Sequence, residues 1–233
     1  MTDRIEGART QSRLERAFQK HVLSHLLDDG MRGVEPLRGE LLAGVGGRVL
    51  ELGFGTGSNL PYYRGRTAGM SELVAIEPAE GLAELAKERL DRWTDRTGVP
   101  SRLEVLSGSR PLPFDDASFD RVVITFVLCS VRRADVMLAE ARRVLAPGGR
   151  LVIAEHVGAR PGAMRTAQRV VRPAWKALLG GCDPLTDARG AIAAAGFDTG
   201  ALGDRRLELP WIVSSGLVGE ATVASDAATD RAR

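Results

Sequence analysis

Three stretches of the chain combine residue types and spacing that can do chemistry. The first is Glu51-Leu52-Gly53-Phe54-Gly55-Thr56-Gly57, which closes a short β-type run, Arg48 to Leu52. Its glycines tolerate positive φ and let a ligand approach the backbone closely. A helix starting near Gly57-Ser58 would point free N–H groups at that ligand. Alone, the loop signals a nucleotide-like ligand or a plain tight turn. The second is Glu77, at the end of the next β-type run, Leu73 to Glu77. A carboxylate there can accept hydrogen bonds from both hydroxyls of a ribose, or favour a helix N-terminus. The third is His156, behind a later apolar run. Its ordinary pKa of ~6.5 suits proton removal near neutrality. The alternative is that it shapes a pocket or bonds to Glu155.

Spacing separates two cofactor classes. A dinucleotide fingerprint requires G-x-G-x-x-G. Here the glycines fall at 53, 55 and 57, and Ser58 takes the third fingerprint position. Glu51 would repel a pyrophosphate, whereas it suits the cationic amino acid end of S-adenosylmethionine (SAM). These residues therefore favour SAM over a nicotinamide cofactor. An NAD(P)-dependent oxidoreductase and a non-catalytic SAM-binding protein are the readings of other classes.

These residues need a scaffold that lines them up. β-type runs at Arg48–Leu52, Leu73–Glu77, Leu103–Leu106, Arg121–Cys129 and Leu151–Ala154 alternate with helical stretches at Glu80–Trp93 and Ala134–Leu145. Pro147-Gly148-Gly149 reads as the stop of the latter helix. Such alternation implies right-handed βαβ crossovers and a parallel sheet. Ligands then bind beyond the carboxyl ends of the strands. After Glu155 the pattern gives helices at Arg160–Leu179 and Thr186–Ala195, then two β-type runs, Ala201–Leu209 and Trp211–Val218, joined closely enough to demand an antiparallel pair. The expected fold is α/β, Rossmann-like and doubly wound: a mostly parallel seven-stranded sheet with one antiparallel strand and helices on both faces. Upstream, Leu14, Phe18, Val22 and Leu26 form a helical stripe, and Val34–Ala43 a second short helix. Residues 1–45 are expected to form a helical lid, 46–219 the catalytic domain and 220–233 a disordered tail.

Composition narrows the partners. The 233 residues carry a net charge of +2 with 27% charged side chains, and basic residues alternate with acids instead of forming a stripe. A nucleic-acid surface is not expected. The polar start of the chain is no secretory signal and no apolar run approaches the ~20 residues of a membrane helix, so a cytoplasmic protein without integral membrane association is expected. Cys129 and Cys182 are then expected as free thiols. His21 and His25 have the spacing of two ligands on one helix face, but no neighbouring side chains complete a set, and no metal is expected.

The motifs Val49–Tyr63 (VLELGFGTGSNLPYY), Val74–Pro78 (VAIEP), Pro111–Val123 (PLPFDDASFDRVV) and Arg142–His156 (RRVLAPGGRLVIAEH) together resemble class I SAM-dependent methyltransferases. The resemblance implies that Glu51, Gly53 and Gly55 surround the methionyl part of SAM, with Phe54, Thr56, Gly57 and Asn59 also binding the cofactor. It implies that Glu77 holds the ribose, that Pro78, Gly108 and Ser109 border the adenine, and that Thr125 and Phe126 lie under the cofactor. Members often carry Asp where this chain has Gly108 and Ser109. Thr125–Val131 (TFVLCSV), Ala154–Val157 (AEHV) and Trp175–Cys182 (WKALLGGC) are similar to a group of small bacterial enzymes and eukaryotic alkyl-thiol S-methyltransferases, and the cofactor half is similar to bacterial phosphatidylethanolamine N-methyltransferases. The implied reaction is in-line methyl transfer to a small or lipophilic thiol, hydroxyl or amine, with His156 the candidate base.

Overall fold

A computed structural model describes residues 12–108 and 110–224. The chain opens with one continuous helical rod made of α1 (Arg13–Phe18), a π-helical stretch (Gln19–Leu23) and α2 (Ser24–Gly30). Ser12 and Glu15 start it with a reciprocal capping box. α3 (Glu35–Leu42) leads into β1 (Gly47–Leu52), then come β2 (Met70–Ile76), α4 (Glu80–Thr97), β3 (Ser101–Glu104), β4 (Phe119–Thr125), α5 (Ala134–Val144) and β5 (Leu145–His156). The remainder is α6 (Ala163–Leu178), α7 (Ala188–Ala194), β6 (Phe197–Asp198), β7 (Gly203–Arg206) and β8 (Ser215–Val223).

The sheet order is β3-β2-β1-β4-β5-β8-β6, with β7 also paired to β8. β1 to β5 are mutually parallel, and β8 alone is reversed against β5. β6 and β7 both pair with β8, so they share one position. The sheet is thus seven positions wide with a single reversed strand, as the alternation of elements predicts. Strand residues alternate between two cores. Leu50, Leu52, Val74, Ile76, Val122, Ile124, Leu151 and Ile153 face α5 and α7. Val49, Leu73, Ala75, Val123 and Val152 face α3 and α4, where Ala86, Leu90 and Trp93 form the buried stripe. A left-handed Gly98 (φ +66°) ends α4.

Several expectations are corrected. α5 stops at Val144 and passes directly into β5, so Pro147-Gly148-Gly149 lies inside a long strand instead of ending the helix. β4 ends at Thr125, and residues 126–131 turn away. β8 begins at Ser215, after a 3₁₀ turn at Trp211–Val213. It reaches Val223, so residues 220–223 belong to the sheet and not to a tail: Glu220 pairs with Val152 and Thr222 with Arg150. Residues 225–233 lie outside the described residues. The apolar positions Leu14, Phe18 and Val22 face outward, with Leu14 84% exposed, because the helix packs through its polar face on α4.

Candidate active site

The parallel register brings Leu52, Ile76, Thr125 and His156 to one edge of the sheet. Beyond Leu52 the chain turns at once: Gly53 and Phe54 both donate their N–H to the carbonyl of Ile76, each at 2.9 Å. Gly53, Gly55 and Gly57 have φ of +74°, +59° and +79°. At Gly53 a Cβ would fall 2.4 Å from Val127 Cγ2, so only glycine lets this loop pass the end of β4; at Gly55 a Cβ would meet nothing. No α-helix starts at Gly57-Ser58. Two 3₁₀ turns, Leu60–Tyr62 and Gly65–Ala68, replace it. The physical reason is that Asn59 and Tyr63 fold inward to a buried carboxylate, and Pro61 supplies no N–H for a helical ladder.

That carboxylate is Glu51. It is buried, accepting from Asn59 Nδ2 (2.8 Å) and from the Tyr63 hydroxyl (2.6 Å). Asn59 also donates to Thr125 Oγ1 (3.0 Å) and accepts from Arg38 Nη1 (2.9 Å). Asn59 therefore ties together β1, β4 and α3. Burial pushes the Glu51 carboxyl up to about 7, against the Tyr63 and Asn59 hydrogen bonds and the charge of Arg38. Arg38 stacks over Phe126, 5.8 Å from the ring centroid. Phe126 itself has φ +58°, a strained value for a non-glycine residue, at the tip of β4.

Glu77 is buried just beyond β2. Its Oε2 accepts from the Gly55 N–H (2.8 Å) and its Oε1 from the Ala79 N–H (2.9 Å), which links the glycine loop to the start of α4. Burial raises its pKa despite these two bonds. Pro78 is exposed beside it. Gly108 is buried against Met137, and Ser109 lies outside the described residues. Of the other predicted loop residues, the Phe54 ring packs in the core and the Thr56 hydroxyl donates to Asp28.

Asp28 fastens the N-terminal rod to the loop. One oxygen accepts from Thr56 Oγ1 (2.5 Å) and Ser58 Oγ (2.9 Å), and the other pairs with Arg89 of α4 (2.8 Å). Burial opposes ionisation of Asp28, but the Arg89, Thr56 and Ser58 bonds outweigh it and lower its pKa. Upstream, Gln19 accepts from the Gly81 N–H, and the Arg16 carbonyl would lie 2.4 Å from a Cβ at Gly81. The rod thus lies across the first turn of α4.

A second group sits at the ends of β4 and β5. Glu155 Oε1 accepts from the N–H groups of Val127 (2.5 Å) and Leu128 (2.7 Å), which fixes the turn leading to Cys129. His156 Nε2 lies 3.0 Å from Cys182 Sγ, and the Trp175 indole N–H donates to the same sulfur at 3.4 Å. The Asp183 N–H donates to the Cys129 carbonyl (2.8 Å). Asp183 in turn holds Arg172 and Lys176 of α6. The Cys129 thiol, then the His156 ring, lower the Cys182 pKa; burial opposes a charge on His156, but Cys182 outweighs it and raises the His156 pKa. Sequence reasoning named His156 but missed that Cys129 and Cys182 converge on it, since no local spacing links residues from three separate elements. It also missed Arg38, Tyr63 and Asp28 as partners of the loop.

The methyltransferase-domain family profile matches residues 50–153. The human protein named thiol S-methyltransferase TMT1A is 31% identical over 172 residues, covering 72% of this chain and 68% of its own. This chain belongs to the class I SAM-dependent methyltransferases. A Cereibacter sphaeroides protein named phosphatidylethanolamine N-methyltransferase is 31% identical over 127 residues, spanning 54% of this chain and 59% of its own. A solved SAM-dependent methyltransferase from Thermotoga maritima shares the fold, with a TM-score of 0.59 at 19% identity, covering 88% of this chain and 98% of that one. The methyltransferase donor is S-adenosylmethionine. Among the described residues no helix is long and apolar enough to cross a membrane.

Proposed function

We propose that the protein transfers the methyl group of SAM to the sulfur of a small, lipophilic thiol. The observation that carries this reading is the convergence of Cys129, His156 and Cys182 beyond the ends of β4 and β5, on a turn whose Val127 lies against Gly53. The cofactor, when bound, supplies an electrophilic methyl on a sulfonium sulfur. Everything else falls to the chain. Glu51, held by Asn59 and Tyr63, would face the ammonium of the methionyl end, and Gly53 and Gly55 would leave room for it. Glu77 would accept from the ribose hydroxyls, exchanging its bond from the Gly55 N–H. Pro78 and Gly108 would border the adenine, and Thr125 and Phe126 would floor the site. The rod latched by Asp28 would act as a lid over the loop.

A hydroxyl acceptor would need a free base. Glu155 commits Oε1 to two N–H groups and its other oxygen is buried, and His156 engages Cys182 through Nε2 while its Nδ1 is buried. A thiol needs less help, because a neighbouring positive charge stabilises its thiolate. The human relative named a thiol S-methyltransferase supports this choice. A phospholipid amine is the second reading, favoured by the Cereibacter relative and by the exposed apolar side chains Val170, Leu178 and Trp211 near α6. A panel of alkyl thiols, phenols, amines and phosphatidylethanolamine vesicles with methyl-labelled SAM tests the proposal. Label in the thiols is expected; label in the phospholipid without any in thiols would favour the second reading.

A further inference from the structure

We infer that Cys129, His156 and Cys182 form a three-ligand site for a zinc-class divalent ion whose fourth position takes the acceptor sulfur. The fourth-ligand part rests on the thiol reading above; the ion site does not. The two Sγ atoms and a ring nitrogen of His156 all lie within 4.8 Å of one another. Tetrahedral zinc with bonds of about 2.3 Å to sulfur and about 2.0–2.1 Å to nitrogen sets its ligand atoms roughly 3.5–3.8 Å apart. The His156–Cys182 separation of 3.0 Å therefore needs to open by only about half an ångström. Two thiolates and an imidazole are the soft and borderline donors that favour zinc over magnesium or calcium.

The surroundings suit a cation. Glu155 is completely buried, and its Oε2 has no hydrogen-bond partner among the described residues. The Trp175 N–H supports the Cys182 sulfur from outside the triad, as outer partners of metal ligands do. The ligands come from rigid places: the turn pinned by Glu155, the last residue of β5, and the loop tied back to Cys129 through Asp183. Cys129 and His156 are buried while Cys182 is half-buried, so an acceptor would approach the fourth position from the Cys182 side. Three protein ligands with one open position is the pattern of a catalytic site, not a structural one.

The chemistry balances. An acceptor thiol binds through sulfur and its proton leaves to water, because a coordinated thiol is deprotonated. The bound sulfur attacks the methyl carbon of SAM. A new S–C bond forms, the sulfonium C–S bond breaks, and its electron pair stays on the sulfur of S-adenosylhomocysteine. The thioether product carries no charge, leaves the ion, and water takes its place.

The test uses the full chain, stripped with a chelator and titrated with Co²⁺ and Zn²⁺. One equivalent of Co²⁺ with thiolate-to-cobalt absorption is expected, and an added alkyl thiol should change that spectrum. Cys182→Ser and Cys129→Ser should each weaken Zn²⁺ binding by more than the roughly 10–100-fold that losing an outer partner costs. Their SAM affinity and melting curves serve as the folding control. The inference is overturned if the wild type shows no thiolate-to-cobalt band, or if both variants keep it. Full thiol methylation by metal-free protein would also overturn it while leaving the thiol reading intact. A metal bound at these three side chains in a protein that methylates no thiol would instead sink the thiol reading alone.

Discussion

The edge of the sheet at β1 and β2 and the edge at β4 and β5 are built on different plans. At β1 and β2 the groups proposed to hold SAM come from one short stretch, Glu51 to Asn59, plus Glu77, and the backbone does much of the shaping through left-handed glycines. At β4 and β5 the groups come from three elements far apart in sequence, and side chains do the shaping: Glu155 grips a turn, and Cys182 arrives from the loop after α6. The first plan suits a constant ligand, since a Gly-rich turn fits one shape. The second suits a variable one, because a sulfur or ring can be exchanged without moving the sheet. Changes at the first edge should therefore alter SAM affinity, and changes at the second should alter turnover at unchanged SAM affinity.

The largest effect is expected at Gly53. Gly53→Val places a side chain on Val127 at a φ of +74°. The left-handed backbone costs about 1–2 kcal/mol and the overlap about 1–3 kcal/mol more, so the melting temperature should drop and SAM binding should fall below detection in calorimetry. Gly55→Ala is its control: the backbone cost is similar, no atom lies in the way, and stability should drop by only about 1–2 kcal/mol. Equal melting losses in the two variants would show that the contact with Val127 does not matter.

Next in size is Cys182→Ser at the other edge. Thiol turnover should fall at least about 100-fold while the SAM dissociation constant stays within about twofold, since the variant keeps the whole glycine loop. A large loss of SAM affinity would break the separation of the two edges.

The pH dependence at Glu51 is smaller and has a definite sign. Burial raises its pKa to about 7, so the carboxyl is mostly protonated at pH 6 and mostly ionised at pH 8. Only the ionised form attracts the cofactor's ammonium, so SAM affinity should rise by roughly 10-fold between those values. Stability of the free protein moves the other way. The folded state keeps this proton where the unfolded chain has lost it, so Glu51's contribution is lost as pH rises from about 4.5 through about 7. Glu51→Gln should flatten the affinity profile; a profile as steep as the wild type's would remove Glu51 from the site.

The smallest effect is expected at the proposed lid. Asp28→Asn weakens a half-buried latch to Thr56, Ser58 and Arg89, and a loss of about 3- to 10-fold in SAM affinity, read as faster dissociation by stopped flow, is expected. An unchanged dissociation rate would mean that the rod only packs on the loop.

The same contrast explains what could be read from sequence. β-type runs and their alternation with helices disclosed the sheet, because Val122–Ile124 and Leu151–Ile153 are continuous apolar runs buried on both faces. Glu51 and the three glycines were legible as a group because they are adjacent in the chain, and Glu77 because parallel β1 and β2 bring its carboxylate to the Gly55 N–H. The absence of a helix after Gly57 was not legible: Asn59 and Tyr63 leave the helical path to satisfy Glu51, a tertiary demand with no local signal. The outward-facing stripe Leu14, Phe18 and Val22 misleads for a related reason, since the rod docks through Gln19, Arg16 and Asp28 instead. Cys129, His156 and Cys182 meet only through the register of β4, β5 and the loop beyond α6, which no spacing rule encodes.

The most direct check is calorimetric titration of the wild type and Glu77→Ala with SAM, with NADH as competitor. A single SAM site in the wild type, weakened at least about 10-fold in the variant and untouched by NADH, is the expected result. Identical SAM binding in both proteins, or displacement of SAM by NADH, would contradict the assignment of the glycine loop and Glu77 to the methyl donor.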